Sequence, residues 1–420
     1  MTYTAQVNAE IIAIGSELLT PFRQDTDSLF LTDRLNQLGI EVHFKDVVGD
    51  NRDQLVSSAR IALSRADLII FVGGLGPTED DLTRESVAEA LGLPLQRQQE
   101  LIAWLQKRFA SRGMKMRDNN LRQADVLAGA TVLPNANGSA PGQWLQTEYE
   151  GKDRIIILLP GPPHELKPMF DSQCFDRLRA AVPEQFIAKR VLKVAMVGES
   201  ECDARIAPIY TPFTDVQTTI LANAGEVQIH LQARCESKAA AEGSVNELAE
   251  KIQAELADRV FSTQGESLEE VVGCYLERRG ASLAVAESCT GGLLAERITT
   301  VPGSSHYFVG GAVVYSNELK TAFADVPPAL INEHGAVSRE VATALAEGIR
   351  RRCNSSYGMG ITGIAGPDGG TPQKPVGLVY ISLADGERTE VVERRFPGDR
   401  DRVRWWSTQQ ALDMLRTRLI

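Results

Sequence analysis

The 420-residue chain has little of what marks several common protein classes. Its six cysteines, Cys174, Cys202, Cys235, Cys274, Cys289 and Cys353, form no C-x-x-C pair. Neither a zinc ribbon nor a thioredoxin-type site is therefore indicated. Reduced thiols in a cytoplasmic enzyme are the simplest expectation. Positive charge is also short, with 44 Lys and Arg against 55 Asp and Glu, a formal net charge of −11. Phosphate contacts need clustered Lys and Arg, so no nucleic-acid partner is expected. No apolar run approaches the roughly 20 residues that span a bilayer, so no membrane partner is expected. Met1 to Ala13 lacks a basic start followed by an apolar block and is not read as a signal peptide. What is there is an ordinary globular balance, 43% hydrophobic and 24% charged, which excludes a mostly disordered chain. At about 150 residues per domain the length allows two or three domains, each with a core that needs no disulfide.

Hydrophobic patterning divides the chain into three blocks, 1–170, 171–260 and 261–420. In the first, short apolar runs alternate with helical spacing. ADLIIFV (66–72) and RIIILL (154–159) are continuous apolar strands that enter Gly- and Pro-rich loops. Such strands imply a parallel sheet covered on both faces, an α/β architecture. The second block has half-buried strands near Lys189–Val197 and Glu226–Arg234 and a long helix near Ala239–Leu256, and reads as a small α+β connector. The third returns to α/β alternation, from a helix at Leu268–Arg279 to a closing helix at Val403–Leu419.

Two sets of loops carry candidate chemistry. In the first block, Gly73-Gly74-Leu75-Gly76-Pro77-Thr78-Glu79-Asp80-Asp81 follows a buried strand and precedes a helix. Ligands in α/β sheets sit at the carboxyl ends of strands. Glycines let amides approach an anion, and helix starts favour negative charge. Asp80 and Asp81 suit a Mg²⁺-like cation. The competing reading is a glycine turn with a Thr or Asp helix cap. The loop is neither a Walker A motif nor a G-x-G-x-x-G motif. Gly15-Ser16-Glu17 and Pro160-Gly161-Pro162 end two other strands and share its rim if the strands are parallel neighbours. Glu17 is a metal ligand, a base or a first-turn acid.

In the third block, Glu287-Ser288-Cys289-Thr290-Gly291-Gly292 joins a strand to a helix. It is either an oxyanion or phosphate site or a Ser/Thr cap with a glycine turn. Cys289 reads as a buried structural thiol rather than a nucleophile. Tyr315-Ser316-Asn317-Glu318-Leu319-Lys320 follows another strand. Lys320 is a general base if its surroundings lower its pKa, and otherwise an exposed helix-start lysine. The glycine-rich stretch Thr362-Gly363-Ile364-Ala365-Gly366-Pro367-Asp368-Gly369 reads as a ligand-cradling loop. Arg400 heads the last helix, where it suits phosphate or forms a solvated face.

Taken in order, AESCTGG (286–292), VYSNELK (314–320), GITGIAGPDGG (360–370), KPVG (374–377) and FPGDRD (396–401) resemble the nicotinamide-nucleotide amidohydrolase domain of the CinA family of competence/damage-inducible proteins. GSELL (15–19), GGLGPTEDDLT (73–83), APG (140–142) and LPGPPHE (159–165) resemble its molybdopterin-binding-like domain. The resemblance implies hydrolysis of nicotinamide mononucleotide (NMN) to nicotinate mononucleotide and ammonia, without a cofactor. Ser288 is then the nucleophile and Lys320 its base. Glu287, Thr290, Gly291, Tyr315, Asn317, Thr362, Gly363, Gly366, Asp368, Gly369 and Arg400 are the expected substrate contacts. It also implies an ADP-ribose pyrophosphatase in the N-terminal domain. There Gly15, Glu17, Gly73, Gly74, Gly76, Thr78 and Gly161 meet the nucleotide. Glu17, Asp80 and Asp81 hold a divalent metal ion, with potassium as a second cation. A homodimer is expected from the same source. Family members usually follow GSELL with Gly and an N-T-N-like segment, whereas this chain reads TPFRQDTD at 20–27. That departure keeps two alternatives in view: a pterin- or nucleotide-binding N-terminal module without hydrolysis, and a competence-related scaffold.

Overall fold

The computed structural model describes residues 7–111 and 113–420. Two compact units emerge: the described residues up to Ile187 with Arg234–Ala241, and Ala188–Ala233 with Glu242–Ile420.

The first unit is built on one six-stranded sheet. Its strand order is Glu41–Val48, Asn8–Ile14, Leu68–Val72, Lys152–Leu159, Gly142–Tyr149 and Thr131–Leu133. The central strands are buried on both faces, as their unbroken apolar sequence requires. Ile11, Ile70 and Ile157 pack with Leu31 and Leu35 of the helix Asp27–Gln37. Their neighbours Ile12, Ile69 and Ile156 face the other way, onto Leu55, Ala59 and Leu63 of the helix Arg52–Arg65. Side chains alternate faces along a strand, so one apolar run feeds two half-cores. The parallel sheet expected from sequence needs one correction. Gly142–Tyr149 runs antiparallel to Lys152–Leu159, and Thr131–Leu133 antiparallel to it in turn. Glu150 and Gly151, both at positive φ, form the two-residue turn that a tight hairpin demands. Asn8–Ile14, Leu68–Val72 and Lys152–Leu159 are parallel neighbours, so their three following loops do share one rim.

The second unit begins with a four-stranded sheet in the order Val216–Asn223, Glu226–Cys235, Phe186–Ala195, Val260–Ser262. Val227, Ile229, Leu231 and Ala233 alternate inward against Leu248 and Ile252 of the helix Lys238–Leu256. A five-stranded sheet follows, ordered Phe308–Val313, Leu283–Glu287, Tyr357–Gly363, Leu378–Ala384, Thr389–Arg395. The first three strands are parallel and the last two antiparallel. One face packs Val285, Ile361 and Ile381 against the helices Leu268–Arg279 and Arg400–Leu419. The other packs Ala284 and Ala286 against Val341 and Leu345 of the helix Arg339–Cys353. No helix among the described residues is long and apolar enough to cross a membrane.

Candidate active site

Each α/β sheet carries a cavity at the carboxyl ends of its parallel strands. The N-terminal one is about 630 Å³. Gly15, Glu17, Gly73, Gly74, Gly76, Thr78, Asp80, Asp81 and Gly161 all line it, so the structure brings the whole N-terminal set together. The glycines are needed for the close approach. Gly73 sits at φ +101°, and a Cβ there would lie 2.5 Å from the Ile14 carbonyl.

The roles of these groups differ from the expectation in two ways. First, half of the loop amides are spent. Gly73 N–H donates to the Leu159 carbonyl at 2.9 Å. The Gly76 and Thr78 amides donate to Asp81 Oδ1 and Oδ2, each at 2.8 Å, and the Thr78 hydroxyl also donates to Oδ2. The protein's own carboxylate occupies the place foreseen for a bound anion. Second, Asp81 is thereby committed to the loop and is not free as a metal ligand. Among the described residues no group of three or more His, Cys, Asp or Glu is placed to hold a metal ion. Glu17, Asp80 and Asp81 as arranged do not fit a divalent cation. From behind, buried Arg84 donates to the Leu75 and Gly76 carbonyls at 2.6 and 2.9 Å. Arg122 donates to the carbonyls of Thr78 and Asp81 and pairs with Glu85. Asp25, Asp27, Asp50, Gln123, His164 and Glu165 also line the cavity and were not singled out from sequence. Asp27 is 7% exposed, and burial pushes its carboxyl above the ordinary range. Its signal in the sequence was the acidic D-T-D at 25–27.

The C-terminal cavity is smaller, about 250 Å³. Ser288, Tyr315, Asn317, Lys320, Thr362, Gly363, Gly366, Asp368, Gly369 and Arg400 line it, as does Cys289. Ser288 is 7% exposed, and its amide is tied to the Ile361 carbonyl at 2.9 Å. Lys320, 2% exposed, lies on the helix Asn317–Ala324, which Ser316 caps through the Leu319 amide. Its Nζ donates to the carbonyls of Val314 and Tyr315, both at 3.1 Å. Burial holds this ammonium below the ordinary lysine range, against the opposing pull of Glu318. Burial likewise pushes the Cys289 thiol up to about 12, so it stays protonated and is no nucleophile at neutral pH. Arg400 reaches the Gly366 carbonyl at 2.7 Å and the Tyr315 hydroxyl at 3.0 Å, fastening two cavity loops together.

Three expected substrate contacts are corrected. Glu287 is 1% exposed, and its carboxylate accepts the amides of Gly292, Leu294 and Ala295 at 3.2, 2.9 and 2.8 Å. It caps the helix Leu293–Thr299 instead of facing the cavity. Thr290 is fully buried, and its carbonyl accepts Arg404. Gly291 N–H closes a turn onto the Ser288 carbonyl at 3.1 Å. None of the three lines the cavity. Thr362 does, but its hydroxyl already donates to the Ala336 carbonyl. His306 and His334, the histidines of the last block, do not line it, which leaves Lys320 as the amine that shares the cavity with Ser288.

Three family models match in sequence order: a probable molybdopterin binding domain over residues 10–180, a damage-inducible protein CinA KH domain over 189–262, and a CinA C-terminal domain over 265–419. A CinA-like protein of Koribacter versatilis is 62% identical over 98% of this chain and 100% of its own. The chain belongs to the CinA family. A putative competence-damage inducible protein of Moorella thermoacetica is 44% identical over 97% of this chain and 98% of its own. The crystal structure of competence/damage inducible protein CihA from Agrobacterium tumefaciens is 34% identical, covers 36% of this chain and 93% of its own, and has a TM-score of 0.35. As a CinA-family chain the molecule thus has a parallel-sheet N-terminal domain of the molybdopterin-binding type, a KH-like connector and a C-terminal α/β CinA domain.

Proposed function

We propose that the C-terminal domain is an amide hydrolase that converts NMN and water to nicotinate mononucleotide and ammonia. One observation carries this reading: Ser288 shares its cavity with a buried lysine whose charged form is disfavoured. A neutral amine has two N–H bonds. The carbonyls of Val314 and Tyr315 accept both, and the lone pair is left to take a proton. Ser288 Oγ attacks the carboxamide carbon as its proton passes to Lys320 Nζ. The tetrahedral intermediate collapses, the C–N bond breaks, and Lys320 returns the proton to the leaving ammonia. Water then cleaves the acyl-serine by the same base. Arg400 supplies positive charge for the nucleotide phosphate. Purified chain incubated with NMN should release ammonia, and a folded chain that releases none excludes the reading.

A second reading concerns the N-terminal cavity. Its size and polar lining favour a nucleotide or pterin ligand, bound without hydrolysis in the arrangement described. Incubation with ADP-ribose and Mg²⁺ decides this, because AMP release would restore the metal-dependent pyrophosphatase.

A further inference from the structure

Residues 335–337 join the helix Pro328–His334 to the helix Arg339–Cys353, and Ala336 and Val337 line the Ser288 cavity. Each carbonyl from 334 to 337 has a side-chain donor. Lys374 Nζ serves His334 at 2.9 Å and Val337 at 2.6 Å. Ser338 Oγ serves Gly335 at 2.9 Å, and Thr362 Oγ1 serves Ala336 at 2.8 Å. The Gly335 amide closes onto the Ile331 carbonyl. The amides of Ala336 and Val337 have no acceptor among the described residues. Both residues are half-buried at the cavity wall, so the two amides stay available to a ligand there. A strap with its carbonyls satisfied and two consecutive amides open presents donors only, and such a concavity suits an anionic oxygen. Gly335 makes the turn at φ +79°, where a Cβ would come within 3.0 Å of Lys374 Nζ. Lys374 is itself held, since its amide donates to Thr371 Oγ1 and its carbonyl accepts Thr371 N–H.

We propose that the 335–337 strap binds an anionic oxygen of the substrate and that Lys374 is its positioning residue. This rests on the amide-hydrolase reading of the cavity. The oxygen comes from the nucleotide phosphate or from the tetrahedral intermediate, and the kinetics separate the two. Lys374→Met removes both carbonyl anchors and is measured on NMN and on nicotinamide riboside, with thermal melting to check folding. A fall in kcat of tenfold or more at similar KM places the oxyanion on the strap. A tenfold rise in KM on NMN, absent on the riboside, places the phosphate there. Lys374→Arg, which keeps two donors, should recover most of the loss. If Lys374→Met does not fold, Thr362→Val, with Thr362→Ser as its rescue, frees the Ala336 carbonyl and is read in the same way. A folded Lys374→Met with kcat and KM within twofold of wild type on both substrates overturns the assignment. Wild-type chain without amide hydrolysis overturns the parent reading instead. In that case nicotinate mononucleotide, which carries a phosphate and a carboxylate, still tests the strap by hydrogen exchange. Slowed exchange across 335–338 supports it, and unchanged exchange removes it.

Discussion

The two cavities use the same topological device with opposite placement of an internal charge. Both lie where parallel strands end and glycine loops begin. Both loops are held by an internal carboxylate, Asp81 in one and Glu287 in the other. In the N-terminal cavity that carboxylate sits among the lining residues and takes two of the amides a ligand would want. In the C-terminal one it is sealed behind the loop, leaving Ser288 and Lys320 to face the cavity. A glycine loop therefore does not define an anion site by itself. What matters is which side of the loop its own anion occupies.

The largest effects should fall on the C-terminal pair. Ser288→Ala and Lys320→Met should each lower NMN turnover by on the order of 10³-fold, and the double variant little further, because the two act as a unit. Nucleotide binding by the N-terminal unit, followed by titration calorimetry, should not change in either variant. A Ser288→Ala protein with near-normal ammonia release would remove the sharpest difference between the cavities.

Next come the two internal carboxylates. Glu287→Gln leaves three amides, one of them fully buried, with a poorer acceptor and should cost about 1–3 kcal/mol in denaturant unfolding. Asp81→Asn, in a half-exposed loop, should cost less, about 0.5–2 kcal/mol, as a lost cap does. The reverse order would mean that the N-terminal loop is the more rigid of the two.

The pH dependence is a third probe. The folded chain holds Lys320 below its ordinary value, so its stabilising balance is greatest at high pH and declines as pH falls from the unfolded lysine value toward the folded one. Lys320→Met should flatten that slope in chemical denaturation. The same lowered pKa should appear as the acid limb of the NMN rate profile, with activity rising through it. An acid limb that survives in Lys320→Met would assign it to another group. The smallest effect is at sulfur. With its thiol near 12, Cys289 should resist iodoacetamide at neutral pH, as should buried Cys174 at about 12, while exposed Cys274 reacts. Rapid labelling of Cys289 in the native chain would show the thiol to be open to solvent.

The elements with strong patterns were readable in the sequence. LIIFV at 68–72 and the helix at Leu268–Arg279 fall where apolar runs and helical spacing put them. The strand Thr389–Arg395 escaped notice because it is an edge strand rich in charge, with no buried residue to set a pattern. At the sites, Ser288 and Lys320 were legible as residue types after strands. The misplacement of Glu287, Thr290 and Gly291 has a plain cause: consecutive residues in a turn point in different directions, and only one of AESCTGG's polar side chains, Ser288, reaches the cavity. Val337 gave no signal and Lys374 was legible only as part of KPVG, because their contribution comes from backbone groups and from contacts some 37–40 residues apart in sequence.

By itself the sequence determined the α/β class, the order of the blocks and the loops that end the strands. These follow from local periodicity and from glycine and proline, which act within a few residues. Only the tertiary structure decided which groups are free to act. Burial lowers Lys320, raises Cys289 and Asp27, and hides Glu287 behind its helix. Desolvation and hydrogen-bond pairing depend on neighbours brought from elsewhere in the chain, and no local pattern encodes them.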